Sequence, residues 1–231
     1  MADKITERTP ATHTEATIHT TQWERMQKPV ITIAIILVVA VAGWFGYKKF
    51  IVEPKNEKAN DAIAFAAENF AKDSFNLALN GNGANKGAVY VAKEYSGTDA
   101  GNLALFYAGV SSLKIGKPED AIKYLKDFST SSKPVQTKAY GCLADAYGEK
   151  GDKKAALENY KKAASTFPDD EIVSSEYLFR AAQIAESDNN NTEAISIYKE
   201  LKSKYPATDK GNQAEKYLNR LEVQKNEFTI K

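Results

Sequence analysis

The strongest constraint on the fold is a sequence register that recurs three times between residues 99 and 208. Three turns begin at Gly116, Gly151 and Asn189, so that they stand 35 and 38 residues apart (151 − 116 and 189 − 151). Each turn precedes a helix-like segment with alanine at one fixed place: Ala121, Ala156 and Ala194. A repeat of roughly 30–45 residues that contains two helical segments is typical of stacked helical hairpins.

Small and large residues alternate around each turn in the way that a tight hairpin requires. Upstream lie the small or mixed pairs Ala108-Gly109, Leu143-Ala144 and Ala181-Ala182, and downstream lie Leu125, Tyr160 and Tyr198. Prolines close the units at Pro134, Pro168 and Pro206, because proline cannot continue a helix. A single hairpin cannot cover its apolar face, so several must stack. The predicted fold class is all-α, with an α-solenoid of helical hairpins behind one N-terminal membrane helix.

The segments on either side of the three units are predicted to cap the stack. Residues 59–98 form a degenerate capping hairpin, with helices expected over 55–79 and 86–95. Its inward positions are Ile63, Ala66, Phe70 and Leu77. Residues 209–231 supply a capping helix and tail with Ala214, Leu218 and Leu221 facing inward. Polar outer faces at both ends are what a solenoid needs to stay soluble there.

A second feature is the stretch between Lys28 and Lys48, which contains no charged residue. We expect residues 29–50 to cross a membrane, with Trp23, Trp44 and Tyr47 at headgroup depth. Residues 1–28, whose charges cancel and which lack apolar periodicity, are predicted to be a disordered arm. Residues 51–58 follow as a linker, and Pro54 ends or bends the membrane helix. A buried core helix is the plainer alternative, although such helices rarely run this far without a polar position.

Two questions about the apolar stretch stay open at the level of sequence. Ala40-Val41-Ala42 resembles a signal-peptide cleavage site, but the long acidic segment before it favours an uncleaved anchor. Orientation is also contested. More lysines follow the stretch than precede it, which by the positive-inside rule places the C-terminal domain in the cytoplasm.

Composition argues against several classes of function. The net charge of +1 gives no sign of a nucleic-acid partner. Cys142 is the single cysteine, and both histidines, His13 and His19, lie outside the repeats. No acid, base and nucleophile converge in the sequence, so we expect no enzyme, no cofactor, no metal site and no small-molecule substrate.

The first helix of each hairpin lines the concave groove of such a solenoid, and grooves of this kind bind peptides. The repeat register therefore predicts these partner-binding residues: Phe106, Val110, Leu113, Gly141, Asp145, Phe179, Gln183 and Glu186. The first three are apolar and suit hydrophobic anchors of a bound segment. An alternative is that Phe106 and Val110 only pack against the capping hairpin.

The second unit resembles the tetratricopeptide repeat at most of that pattern's marked positions. These are Tyr140, Leu143, Ala144, Tyr147, Gly151, Ala156, Tyr160, Ala163 and Pro168. Some tetratricopeptide-repeat proteins hold the C-terminal carboxylate of a partner with a clamp of lysine and asparagine side chains. Gly141 and Asp145 occupy the corresponding places here, so that mode of binding is disfavoured.

The overall plan resembles the YfgM-type ancillary subunit of the bacterial Sec translocon. The resemblance is carried by Gly43-Trp44-Phe45-Gly46-Tyr47, by Ala92-Lys93-Glu94-Tyr95 and by residues 104–125. It implies a single-pass protein of the bacterial inner membrane with a periplasmic repeat domain, against the lysine count. The implied partners are translocon subunits, periplasmic chaperones or secreted clients, besides the lipid bilayer around the helix. The alternative is a structural scaffold of another cell-envelope complex, in outer-membrane assembly or secretion.

Overall fold

The protein is helical, and the computed structural model describes its backbone from residue 17 to residue 229 and its side chains at 26–27 and 29–223. The described residues form no β-strand, and one isolated bridge joins Gly81 to Lys86. The all-α prediction is therefore confirmed. The chain divides into two compact units, Met1–Pro54 and Lys55–Lys231.

The first unit is dominated by α1, Thr17–Tyr47. Residues 1–16 of the predicted disordered arm lie outside the described residues, whereas residues 17–28 are helical. The predicted C-terminal boundary of the arm, residue 28, was therefore wrong. Adding residues to an existing helix costs far less free energy than nucleating a new one, so the helix formed by the apolar segment extends toward the N-terminus. Apolar side chains along α1 are exposed, including Leu37 and Val39 at 60% and 64%. Within Pro29–Ala71, the most apolar window is long enough to span a bilayer and has none of its residues buried.

A π-helical turn, Lys48–Val52, follows α1 and ends two residues before Pro54. Here the Glu53 amide donates to the Lys48 carbonyl, one residue further back than in an α-helix. Pro54 explains the widening, because its ring would clash with the carbonyl four residues earlier and it has no amide to donate. The predicted linker, residues 51–58, is therefore helical.

The N-terminal cap consists of α2 (Glu53–Ala71), α3 (Phe75–Asn80) and α4 (Ala88–Glu94). The helix expected over 55–79 is interrupted because Asp73 adopts a left-handed conformation (φ 55°). The Ser74 amide then donates to the Asn69 carbonyl at 2.9 Å and closes the end of α2. The break also turns Leu77 outward, to 41% exposure, while Leu79 is buried instead.

The repeats follow as three hairpins and a final helix. Their helices are α5 (Asp99–Lys114), α6 (Pro118–Asp127), α7 (Lys133–Glu149), α8 (Lys153–Thr166), α9 (Glu171–Ser187), α10 (Asn191–Lys204) and α11 (Asp209–Thr229). The three fixed alanines are fully buried. A Cβ on Gly109 would stand 2.5 Å from Cγ of Leu125, so α5 and α6 meet at van der Waals distance only because that position is glycine.

Local sequence sets where each hairpin turns. Gly151 (φ 84°) and Asn189 (φ 58°) take the left-handed conformation that ends the first helix, which glycine and asparagine tolerate best. Each following helix begins with a side-chain cap: Asp152 accepts from the Ala155 amide, and Asn190 accepts from the Glu193 amide.

The final helix begins like the first helix of a further repeat and then departs from the pattern. The segments before α5 and α11 share the sequence Tyr-x-x-Thr-Asp-x-Gly-Asn, over 95–102 and 205–212. Thr98 and Thr208 cap the two helices in the same way, each accepting from the amide three residues on. Exposed Asn219 then stands where α5 has Gly109. The close approach that Gly109 allows between α5 and α6 is therefore not available at this position of α11.

Candidate functional site

Three adjoining depressions run along the face formed by the first helices of the second and third hairpins. Their volumes are about 680, 520 and 420 Å³, and Arg180 lines all three. We call the combined surface the Arg180 groove. Its principal lining residues are Lys114, Lys138, Asp145, Gly148, Ile172, Glu176, Arg180, Gln183 and Lys210. The repeat register predicted a groove on this face.

Arg180 is held by carboxylates from two helices. Its Nε donates to Oε1 of Glu176 at 2.7 Å, and its Nη1 donates to Oδ1 of Asp145 at 3.3 Å. Partial burial alone would lower the pKa of Arg180, but these bonds and charges outweigh it and raise that pKa. The guanidinium is therefore a fixed positive charge whose side chain is still 41% exposed.

Asp145 also accepts a hydrogen bond from the hydroxyl of Tyr160 on α8. The same arrangement occurs one hairpin later, where Tyr198 donates to Oε1 of Glu186 at 2.6 Å and Arg220 pairs with Oε2. We call each set a Tyr–acid–Arg triad. Burial, together with the bond to a carboxylate, raises the pKa of both tyrosines above its ordinary value.

Each triad joins three helices from consecutive units. The first connects α7, α8 and α9, and the second connects α9, α10 and α11. A third link is made by Lys210, which pairs with Glu176 at 3.3 Å and lies 4.6 Å from the Phe179 ring centroid. These polar links fix the spacing of the first helices, and that spacing sets the width of the groove.

One end of the groove is aliphatic. Ile172 and Val173, in the first turn of α9, line the largest depression and are 77% and 36% exposed. Ile172 is the most exposed of the large aliphatic residues described within Lys55–Lys231. The groove thus combines an apolar contact at its end with fixed charges along its floor, as peptide-binding surfaces commonly do.

Of the residues predicted from the register, four line the groove: Leu113, Asp145, Phe179 and Gln183. Asp145 and Glu186 are the acids of the two triads. Gln183 is exposed and available to a partner. Phe179 is 4% exposed and packs edge-on to Tyr217, so it supports the groove more than it presents a surface.

The structure corrects two of the remaining assignments. Val110 is 3% exposed, inside a cluster with Leu125 and Phe128, and therefore cannot meet a partner. Gly141 is covered by Tyr177, whose ring would lie 2.3 Å from a Cβ at that position.

Phe106 is half-buried, with its ring centroid 6.2 Å from Phe70 and 5.3 Å from Phe128. Phe70 belongs to α2, so the capping hairpin covers this part of the first unit. For Phe106 this agrees with the alternative stated from the sequence, in which the side chain packs against the capping hairpin.

The sequence-based selection missed Arg180, Tyr160 and Gly148. Arginine rarity is a usable signal for the first of these, because only two of the chain's four arginines follow the apolar stretch and both form triads. Their spacing of 40 residues (220 − 180) is close to the repeat length. No pattern in the sequence distinguishes Gly148 from a glycine required by packing.

Neither the cysteine nor a metal site adds chemistry to the described residues. Burial raises the pKa of the Cys142 thiol to about 11, which keeps it protonated and unreactive at neutral pH. Within the part of the chain that the structure describes, no cluster of three histidine, cysteine or acidic residues could hold a metal ion.

Comparison with known proteins assigns the repeats. Residues 137–170 match one tetratricopeptide repeat model, and residues 103–131 and 176–208 match another. The three matched segments correspond to the three hairpins α5–α6, α7–α8 and α9–α10. No curated protein matches the chain.

Among solved structures, the crystal structure of MamA protein is similar. It superposes with a TM-score of 0.53 at 20% sequence identity, covering 74% of this chain and 86% of that one. At that identity the likeness shows the fold alone.

Proposed function

We propose that this chain, with three tetratricopeptide repeats behind a long apolar helix, is a membrane-anchored adaptor that binds segments of other proteins in the Arg180 groove. The observation that supports the proposal is that the groove is both rigidly held and open to solvent. It is held in shape by two Tyr–acid–Arg triads, yet it remains open and ends in the exposed Ile172. A surface that is preorganised loses little entropy when a partner binds.

The proposed role is binding without catalysis. The charges at the centre of the groove pair with one another: Arg180 and Lys210 pair with Asp145 and Glu176. Mutual pairing of this kind suits rigid recognition, whereas a general acid or base needs a group free to exchange protons near neutral pH. Protein partners therefore fit the site better than a small-molecule substrate.

Anchoring through α1 is the second part of the proposal. The apolar side chains of this helix are exposed, whereas a core helix of the same length would bury them. With the resemblance to the YfgM-type subunit, this favours the bacterial inner membrane and a periplasmic repeat domain. The partners would then be translocon subunits, periplasmic chaperones or emerging clients.

Site-directed photocrosslinking in intact membranes tests the binding role. A photoreactive residue at Ile172 or Gln183 is expected to capture envelope proteins. The same residue at Lys199 on α10, whose side chain is 60% exposed outside the groove, serves as the matched control. Equal capture from the groove and control positions would contradict the proposal.

A structural scaffold of another envelope complex is the alternative, favoured by the uncovered surface of α1. In that case contacts would be made through the membrane helix. Replacing Ile172 and Gln183 would leave the complex intact, whereas polar substitutions within residues 30–47 would dissolve it. Copurification from detergent extracts separates the two roles.

Topology is tested independently of partner identity. A reporter enzyme that is active only outside the cytoplasm, fused after Lys231, is expected to be active. An active cytoplasmic reporter at the same place would overturn the periplasmic assignment and restore the orientation that the lysine count predicts.

A further inference from the structure

Gly148 lies in the last turn of α7 and lines the depression of about 520 Å³ in the Arg180 groove. A Cβ at this position would meet nothing within 4 Å, and the backbone is helical. Every other glycine described within Lys55–Lys231 has a left-handed φ or a contact that a Cβ would violate. Neither packing nor backbone conformation therefore requires glycine at residue 148.

The same position in the neighbouring units carries a full side chain. Residue 148 corresponds to Leu113 in the first unit and to Glu186 in the third, by offsets of 35 and 38. Glycine weakens a helix relative to alanine through its backbone freedom. Gly148 thus lowers the stability of α7 and creates a gap in the groove that the rest of the chain does not fill.

Free hydrogen-bonding groups surround this gap. Asp145 uses Oδ1 for both Tyr160 and Arg180, and its Oδ2 accepts no bond from any described residue. Lys114, which lines the same depression, forms no ion pair with the described part of the chain. The acceptor Oδ2 of Asp145 and the donor ammonium of Lys114 therefore border a part of the groove where Gly148 contributes no side chain.

We propose that Gly148 is the point at which the main chain of an extended partner segment lies against α7. A peptide unit placed there offers an N–H to Oδ2 of Asp145 and a carbonyl to the Lys114 ammonium, so each charge meets the complementary end of the amide. A helical partner does not fit this role, because its backbone groups are already paired and its side chains hold the axis away. This inference rests on the proposed peptide-binding function and names the form of the ligand.

The test uses the full chain in detergent micelles and an array of disordered twelve-residue peptides. From the peptides that bind the wild type, the tightest is labelled, and its Kd is measured by fluorescence anisotropy. The Gly148→Ala variant is expected to bind it about tenfold more weakly and yet to melt at a higher temperature, since a helix gains from alanine. Gly141→Ala is the matched control: its Cβ would lie 2.3 Å from the Tyr177 ring, so it should lower the melting temperature.

A second measurement examines the main-chain contact directly. A series of the same peptide, with one backbone nitrogen methylated at a time, is expected to lose affinity sharply at one position for the wild type. For Gly148→Ala, methylation at that position should reduce the affinity no more than methylation at the other positions. A second array, made of helix-forming peptides of the same length, is the comparison: if its peptides bind as tightly as the disordered ones, the inference is contradicted.

The outcomes separate the inference from the function on which it rests. If Gly148→Ala binds like the wild type while Ile172→Ser loses binding, the groove functions but the main-chain contact is wrong. If Gly148→Ala melts at a lower temperature, the glycine has a structural role and the inference fails. If no peptide binds the wild type, both the inference and the proposed groove function fail.

Discussion

The first repeat and the two that follow share one register but present different surfaces. In the first, the face of α5 is apolar, and Phe70 from α2 covers Phe106. In the second and third, the corresponding face is polar and open, and Arg180 is at its centre. The register therefore determines which residues face the groove side, whereas the neighbouring elements determine whether a partner reaches them.

The two surfaces also differ in what stabilises them. The α5 face is held by ring contacts among Phe70, Phe106, Tyr107 and Phe128. The later faces are held by directional bonds in which tyrosine, carboxylate and arginine come from three helices. Packed rings stabilise by exclusion of water, while the triads fix angles and leave the surface accessible.

Phe106→Ala gives the largest expected effect, because it removes the ring at the centre of the covered face. We expect the free energy of unfolding to fall by about 3 kcal/mol, the low end for phenylalanine truncation since this ring is only half-buried. Chemical denaturation monitored by circular dichroism measures the loss. Peptide binding to the Arg180 groove should not change.

Ile172→Ala is the counterpart on the open face. It is expected to change stability by less than about 0.5 kcal/mol, because the side chain is 77% exposed, and to weaken binding instead. If Phe106→Ala reduced binding without loss of stability, the division into a covered and an open face would be wrong.

The repeats could be predicted because their signals are local and periodic. Each signal indicates one structural feature. A small residue such as Gly109 indicates a close helix crossing, a proline indicates the boundary between hairpins, and a residue such as Asn189 indicates a left-handed turn. The helix after the third hairpin could also be predicted, and its inward residues are buried: Ala214, Leu218 and Leu221.

The groove was harder to predict because its composition depends on side chains from distant turns of the array. Asp145 and Arg180 stand 35 residues apart, and whether they meet depends on the angle between two hairpins. Likewise, Gly141 and Gly148 lie on the same helix, and only the position of Tyr177 separates the packed glycine from the open one. The helix break at Asp73 was missed for a different reason: Phe70 and Leu77 keep helical spacing across it, and this outweighed the weak helix propensity of Asp73 and Ser74.

Tyr198→Phe tests whether the triads, and not ring packing, hold the open face together. The hydroxyl of this fully buried tyrosine donates to a carboxylate, so its loss should cost about 2 kcal/mol. Tyr90→Phe, at an exposed position, is the matched control and should have no measurable effect. Equal stability of the two variants would indicate that the triad hydroxyl contributes nothing.

Alkaline pH should weaken the open face through the same tyrosines. The pKa values of Tyr160 and Tyr198 are raised above their ordinary value of 10.0 by burial and by their bonds to carboxylates. Because the folded pKa is the higher one, this stability is fully present below pH 10 and is lost as the pH rises beyond it. The loss is at most about 1.4 kcal/mol per tyrosine for each pH unit above 10. Urea midpoints measured at pH 9 and pH 11 should differ less in the Tyr160→Phe/Tyr198→Phe variant than in the wild type.

Acid should have the smallest effect, and it acts through Glu176. Burial alone would raise the pKa of this carboxyl, but hydrogen bonds from Arg180 and Lys210 outweigh it and hold the pKa below 4.5. The stability that Glu176 contributes is therefore present above pH 4.5 and is lost as the pH falls through the folded pKa. The loss is small because about a third of the side chain is exposed to solvent. Hydrogen exchange resolves it by region: between pH 6 and pH 3, amides of α9 should lose more protection than those of α5, and Glu176→Gln should abolish the difference. Equal losses in both helices would mean that the ion pairs at Arg180 are not what distinguishes the open repeats from the covered one.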